Sequence, residues 1–223
     1  PRPGIRRIDP PIIEHTMANW NDPHYWDEQY NWWARRNWID CFDIWHGLNI
    51  HFAASCVEAG RHRVWVPGNG LSLAPFLLAA CGLEVWASDF SARAVGILNK
   101  AVGHPAVARV VDQRLAEFPG PRLDRPGTVH VVQHDFRTPW TEGTVDAVYN
   151  TAAFQGLTPE GMIAAAKVFH AAIRPGGELS FRLVNPSDEL WARISHALAE
   201  AGFDASSGPD VEPRYSHLSF VTG

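Results

Sequence analysis

Gly68, Gly70 and Asp89 are the residues of this chain whose types and spacing best suit the binding of a small ligand. They lie in "VWVPGNGLSLAPFLLAACGLEVWASDFS", residues 64–91. The two glycines follow a β-like run directly. Glycine turns the chain tightly and lets a ligand approach the backbone. A helix predicted from about Ser72 would point its first amides toward that ligand. Asp89 closes a second β-like run 21 positions after Gly68. A carboxylate so placed can accept hydrogen bonds from both hydroxyls of a ribose.

The turn also says which nucleotides fit badly. A dinucleotide fingerprint has glycine at three places, G-x-G-x-x-G, and here the third place is Leu73. A phosphate-binding P-loop has lysine followed by serine or threonine, and this turn has neither. A ribose-bearing ligand without phosphates fits better, and S-adenosylmethionine is the common one.

The elements that must position these residues alternate from His62 onward. "HRVWVP", "LEVWASD", "TVHVVQHD", "TVDAVYN" and "ELSFRLV" read as strands. Helical segments lie between them: "LSLAPFLLAAC", "SARAVGILNKAV", a short one at "ARVVDQRLAEF", and "TPEGMIAAAKVFHAAI" with Thr158 as cap. "SDELWARISHALAEAG" follows as a further helix, then two final strands at "FDASSG" and "SHLSFVTG". The expected fold is α/β, a Rossmann-like doubly wound sheet with an antiparallel C-terminal edge strand and an N-terminal helical extension. Residues 1–60 read as an arm and a tryptophan-rich helical cap, with helices over about 21–37 and 40–58. Residues 61–223 read as the ligand-binding domain, and the whole as one structural unit. Ligands of such sheets bind at the carboxyl ends of the strands.

Taken in order, these segments resemble the class I S-adenosylmethionine-dependent methyltransferases over about residues 60–222. "VWVPGNGLS" is similar to that family's first motif and "VWASDFS" to its ribose-binding acid with an apolar neighbour. "VVQHDFRTPW" resembles the adenine-facing segment, "VDAVYNTAAFQGL" the fourth-strand motif at the active site, and "AAIRPGGELSFRLVN" the turn before the fifth strand. Within the family, "YWDEQYNWW" and the "VPG" and "DF" pairs resemble the thiopurine, thiol and halide methyltransferase branch. The resemblance implies cofactor contacts from Pro67, Gly68, Asn69, Gly70, Ser72, Asp89, Phe90, Asp135, Phe136 and Asn150, with Trp26 and Trp33 from the covering helix. The chain departs from the wider pattern at Ser72, where glycine is common, and at Asn150, where an acid is common. A neutral amide supplies no general base.

Methyl transfer from a sulfonium is an in-line displacement, so alignment and exclusion of water are the main tasks. Aromatic faces can also stabilise the sulfonium. Trp26, Tyr30 and Trp33 share one helical face. That face either covers the cofactor or packs the helix onto the sheet. The candidate catalytic residues are Asn150 and Tyr149, at the end of the fourth strand, and His134 as a base, with His24 and His217 behind it. Cys41, His46, His51 and Cys56 recur every five residues. That step turns a helix by roughly 140° net, so the four cannot converge on a metal from one helix. No metal is expected.

The formal net charge of −5 argues against a nucleic-acid partner, which favours a basic face. No apolar run is long enough to span a bilayer, and no signal peptide is visible. Three scattered cysteines suit a reducing, cytoplasmic compartment. The reading is a methyltransferase of a small-molecule acceptor (thiol, halide or hydroxyl), monomeric or homodimeric. A non-catalytic cofactor-binding sensor is the alternative, and an NAD-type oxidoreductase the third reading.

Overall fold

The computed structural model describes residues 21–34, 46–117, 120–125, 127–184, 186–203, 210–212 and 215–221. Five parallel strands form the centre of one sheet in the order β3-β2-β1-β4-β5. They are β1 (Arg63–Pro67), β2 (Glu84–Asp89), β3 (Thr128–Gln133), β4 (Val145–Thr151) and β5 (Ile173–Val184). The order reverses between β1 and β4, and a crevice opens above their carboxyl ends there.

Side chains of the central strands alternate between the two faces, as a strand buried on both faces requires, except that Val145 of β4, ahead of a register shift, enters the same core as Val148. Val64 and Val66 of β1, Val85 and Ala87 of β2, and Ala147 and Tyr149 of β4 enter one core. Trp65, Trp86 and Val148 enter the other, with Leu179, Phe181 and Leu183 of β5. The first core is closed by α2 (His46–Glu58), α3 (Ala74–Ala80), α4 (Ala92–Ala101) and α5 (Pro105–Glu117); the second by α6 (Pro159–Ala172) and α7 (Asp188–Ala201). Trp65 carries the one polar handle of its packed ring system into the interior. Its indole N–H donates to Ser88 Oγ at 2.8 Å, so its burial leaves no orphaned donor.

Several boundaries differ from the sequence expectation for local reasons. α5 begins at Pro105, three residues early, because the His104 imidazole accepts the Ala106 N–H and proline suits a first turn. β5 begins at Ile173, ahead of "ELSFRLV": Ile173 pairs with Val145 and Glu178 with Ala147, so the intervening Pro-Gly-Gly stretch bulges out of register. α3 begins at Ala74. The Ser72 hydroxyl accepts the Ala74 N–H at 3.1 Å, so the helix starts two residues after the expected position near Ser72.

At the C-terminus β7 (Tyr215–Val221) runs antiparallel to β5, and the short β6 (Asp210–Glu212) pairs with β7 on its outer side. A strand is present at Asp210–Glu212, and the strand expected at "FDASSG" falls, from residue 204 on, outside the described residues. Glu212 pairs with Tyr215, and a link of only two residues places β6 immediately before β7. Residues 204–209 lie outside the described residues.

The N-terminal extension supplies α1 (Pro23–Ala34) and α2. α1 is described as far as Ala34; residues 35–45, which hold the expected end of the first helix and start of the second, lie outside the described residues. Among the described residues no helix is long and apolar enough to cross a membrane.

Candidate functional site

β1 ends at Pro67 and the chain reverses through Gly68 (φ +60°) and Gly70 (φ +54°). These are left-handed conformations that side chains rarely adopt. Space forbids a side chain as well. A Cβ on Gly68 would lie 2.5 Å from Ala153 Cβ, and one on Gly70 would lie 2.7 Å from the Tyr30 hydroxyl. The Asn69 N–H donates to Ser88 O at 2.9 Å, tying the turn to β2.

Asp89, at the end of β2, is 3 % exposed. One carboxylate oxygen accepts the Gly70 N–H at 2.8 Å and the other the Ser91 N–H at 2.9 Å. Burial raises its pKa to about 6, with Asp27 and Asp135 adding to the rise against the two backbone donors. Each oxygen keeps a further lone pair for a ligand donor.

The turn and Asp89 form the floor of a cleft of about 330 Å³, a size within the range of small-molecule sites. Of the residues expected from sequence, Gly68, Asn69, Gly70 and Ser72 line it from the turn, and Asp89 and Phe90 from β2. Asp135 and Phe136 line it from the segment after β3, and Trp26 from α1. Trp26 stacks on Tyr30 with ring centroids 5.7 Å apart. α1 lies across the cleft by polar links. Asp27 accepts hydrogen bonds from the Ser91 hydroxyl and, at 3.1 Å, from the Arg93 N–H. Burial, then Asp89, pushes the Tyr30 hydroxyl well above its ordinary range, so it stays protonated.

Asp135 does not face the cleft as a free acid. Arg137 donates to both of its oxygens, at 2.6–3.1 Å, and to Asn21 at 3.0 Å. Burial alone would raise the Asp135 carboxyl, but the Arg137 guanidinium outweighs it and holds the group below the usual carboxylate range.

The three candidate catalytic residues take other positions. Asn150 is fully buried, donates to Pro67 O at 3.1 Å and accepts the Phe154 N–H at 3.0 Å. It fastens the first turn to the loop after β4, and its partner Pro67 contributes a carbonyl there and does not line the cleft. Tyr149 points to the opposite side of the sheet from β4's second-core residues. Its hydroxyl donates to Asn49 at 2.9 Å and its ring stacks on Phe52 at 4.3 Å. His134 turns away from the cleft: Nε2 donates to Pro139 O at 3.1 Å, and the ring packs against Trp65 and Trp140. None of the three lines the cleft. His24 is exposed on α1 and close to Glu28. The side chains of Trp33 and His217 lie outside the described residues.

Sequence reasoning missed Asn21, Arg137, Thr151, Ala152, Ala153 and Arg182, all of which line the cleft. Ala152 holds φ +62°, an uncommon conformation for a residue with a side chain. Among the described residues no three potential metal ligands come together. Of the five-residue repeat, Cys56 is buried in the core with its thiol pushed up, and His51 is exposed.

No family model matches the chain, and no curated protein does. Solved structures do. The glycopeptide N-methyltransferase MtfA complexed with sinefungin matches at 15% identity and TM-score 0.56, over 78% of this chain and 87% of that one. Magnesium protoporphyrin IX methyltransferase (ChlM) from Synechocystis PCC 6803, with bound S-adenosylhomocysteine, matches at 16% and 0.53, over 80% and 83%. The S-adenosylmethionine-dependent methyltransferase SibL matches at 19% and 0.50, over 80% of this chain and 55% of SibL. At such identities the likeness is one of fold. The chain has the fold of these S-adenosylmethionine-dependent methyltransferases.

Proposed function

We propose that the protein is an S-adenosylmethionine-dependent methyltransferase of a small-molecule acceptor. The observation that carries this is the buried Asp89 carboxylate beside the Gly68–Gly70 turn, in a cleft walled by Phe90 and Phe136. The residues present fit the cofactor. Asp89 has acceptor capacity for a ribose diol, the aromatic walls suit an adenine, and the turn suits the amino-acid end. When bound, the cofactor supplies a methyl group already activated by its sulfonium.

The chain's own part is then to orient and to exclude water. Trp26 and Tyr30 roof the cleft with aromatic faces that favour a cation. The two carboxylates lining it are engaged, Asp89 by backbone N–H groups and Asp135 by Arg137. No histidine of the described residues lines it. A site so furnished suits an acceptor that needs no strong base. This favours a thiol or halide over a hydroxyl, as in the thiopurine, thiol and halide branch. The buried free thiols Cys56 and Cys81 suit a cytoplasmic location. Residues 1–60 and 61–223 are proposed to act as one unit, since α2 packs into the first core.

Calorimetric titration with S-adenosylhomocysteine tests the cofactor assignment. Binding is expected, and Asp89→Asn should weaken it at least about tenfold, because hydrogen bonds to a charged group contribute ~1.5–3 kcal/mol each. Absence of binding to the unmodified protein would overturn the assignment. Incubation with S-adenosylmethionine and thiols, halides, phenols and amines then tests turnover. Cofactor binding without product from any of them would favour the non-catalytic sensor, a reading consistent with α1 lying across the cleft.

A further inference from the structure

Tyr30 brings to the cleft a hydroxyl that makes no hydrogen bond among the described residues. α1 presents it there: Trp26 and Tyr30 lie four positions apart on one helical face, with their rings stacked. The hydroxyl lies against Gly70, whose N–H donates to Asp89 Oδ2 at 2.8 Å. Burial, then the charges of Asp89 and Asp27, keep it protonated. It is therefore a donor without an acceptor, beside the carboxylate assigned to the ribose.

The two groups complement each other. An ionised carboxylate only accepts hydrogen bonds. A ribose diol that donates to Asp89 keeps lone pairs on both of its oxygens, and an O–H donor beside Asp89 suits one of them. The amino-acid end of the cofactor offers another acceptor, its carboxylate. Asp89 and Asp27, the two anions acting on Tyr30, would repel that carboxylate, whereas a neutral diol meets no such cost. Asp27 is also the acceptor that ties α1 to the Ser91 hydroxyl and the Arg93 N–H. The helix that carries Tyr30 is thus fastened beside the end of β2, where Asp89 lies.

We propose that the Tyr30 hydroxyl donates to a ribose hydroxyl of the bound nucleoside, so that Asp89 and Tyr30 form a paired acceptor and donor for the diol. This rests on the methyltransferase reading for the identity of the nucleoside. Adenosine, 2′-deoxyadenosine, 3′-deoxyadenosine and S-adenosylhomocysteine are titrated calorimetrically into the unmodified protein and into Tyr30→Phe. The unmodified protein should bind adenosine more tightly than either deoxynucleoside, because a site built to hydrogen-bond a hydroxyl rejects the analogue lacking it. Tyr30→Phe should weaken adenosine and S-adenosylhomocysteine alike by about fivefold, the scale of one hydrogen bond between neutral groups. Its preference for adenosine over one of the two deoxynucleosides should shrink by the same factor, because that analogue lacks the accepting oxygen.

An unchanged affinity for adenosine in Tyr30→Phe overturns the proposal. With S-adenosylhomocysteine weakened at the same time, that result would assign the hydroxyl to the amino-acid end. An equal loss for adenosine and both deoxynucleosides overturns it too, since the hydroxyl would then shape the cleft without touching the diol. So does failure of adenosine to bind the unmodified protein. Thermal unfolding reports whether Tyr30→Phe folds. If it does not, Asp27→Ala, which loosens α1, takes its place: the adenosine preference should shrink there as well, and an intact preference overturns the proposal. Failure of S-adenosylhomocysteine alone to bind would sink the methyltransferase reading, while the adenosine series would still decide the contact made by Tyr30.

Discussion

α1 and α2 both precede the first strand, yet α2 is built into the first core while α1 only touches it through Tyr30 and is otherwise tied by polar links. α2 is part of the core: Ile50, Phe52, Ala53 and Cys56 are buried, Phe52 stacks on Tyr149, and Asn49 accepts the Tyr149 hydroxyl. α1 is half-buried or exposed along its described face. Asp27, Asn21 and Tyr30 hold it, by hydrogen bonds to Ser91, Arg93 and Arg137 and by contact with Gly70. Apolar burial is costly to reverse, whereas polar links exchange readily for water. The difference separates a helix that stabilises the fold from one that can respond to what occupies the cleft.

The sharpest way to break this comparison is at Phe52. Phe52→Ala should destabilise the whole protein by ~3–5 kcal/mol, the cost of a cavity in a packed core, measured by denaturant unfolding. A loss below ~1 kcal/mol would mean that α2 is not core.

A smaller effect is expected from pH. The folded pKa of Asp89, about 6, lies above its unfolded value of ~3.9. Its contribution to folding is therefore fully present below ~4 and is lost as pH rises through about 6. Ligand binding should run the other way, because a ribose diol donates to the ionised carboxylate. S-adenosylhomocysteine affinity should fall roughly tenfold from pH 7 to pH 5, and Asp89→Asn should flatten the profile. A flat profile in the unmodified protein would remove Asp89 from the site.

The smallest effect falls on α1. Asp27→Ala removes an acceptor at the first turn of α4, a loss of ~1 kcal/mol. Hydrogen exchange in α1 should quicken about fivefold while the unfolding midpoint of the sheet barely moves. A midpoint that fell with the exchange would show that α1 and the sheet unfold together.

How much of this was legible in the sequence depends on which physical signal reports it. The parallel strands, the glycine turn and the Asp89 spacing were readable, because period-two burial and left-handed glycines leave local marks. Tyr149 and His134 were misplaced for a shared reason. Direction at a strand end depends on what packs there: nothing local to β4 reveals that Phe52 and Asn49 wait beside Tyr149, and nothing local to β3 that Trp65 and Trp140 wait beside His134. Asn150 lies at the expected end of β4 but spends both polar groups on the backbone. Arg182 left a signal that went unread: in "ELSFRLV" the apolar Leu179, Phe181 and Leu183 take one face, which sets the arginine on the opposite face of a buried strand. The short β6 left none, being three residues fixed by its hairpin partner.

The order of strands has a consequence for how the protein could diverge. The turn and its aspartate hang on β1 and β2, tied by the Asn69 and Gly70 amides, whereas Thr151, Ala152 and Arg182 hang on β4 and β5. Asn150 is the hinge pin between the two halves. Substitutions at Leu157 can therefore be sampled by selection, or by a library, without dismantling the Asp89 half of the cleft, whereas Ala153 packs against Gly68 and joins the two. A change at Gly68, Gly70 or Asn150 disturbs both halves at once.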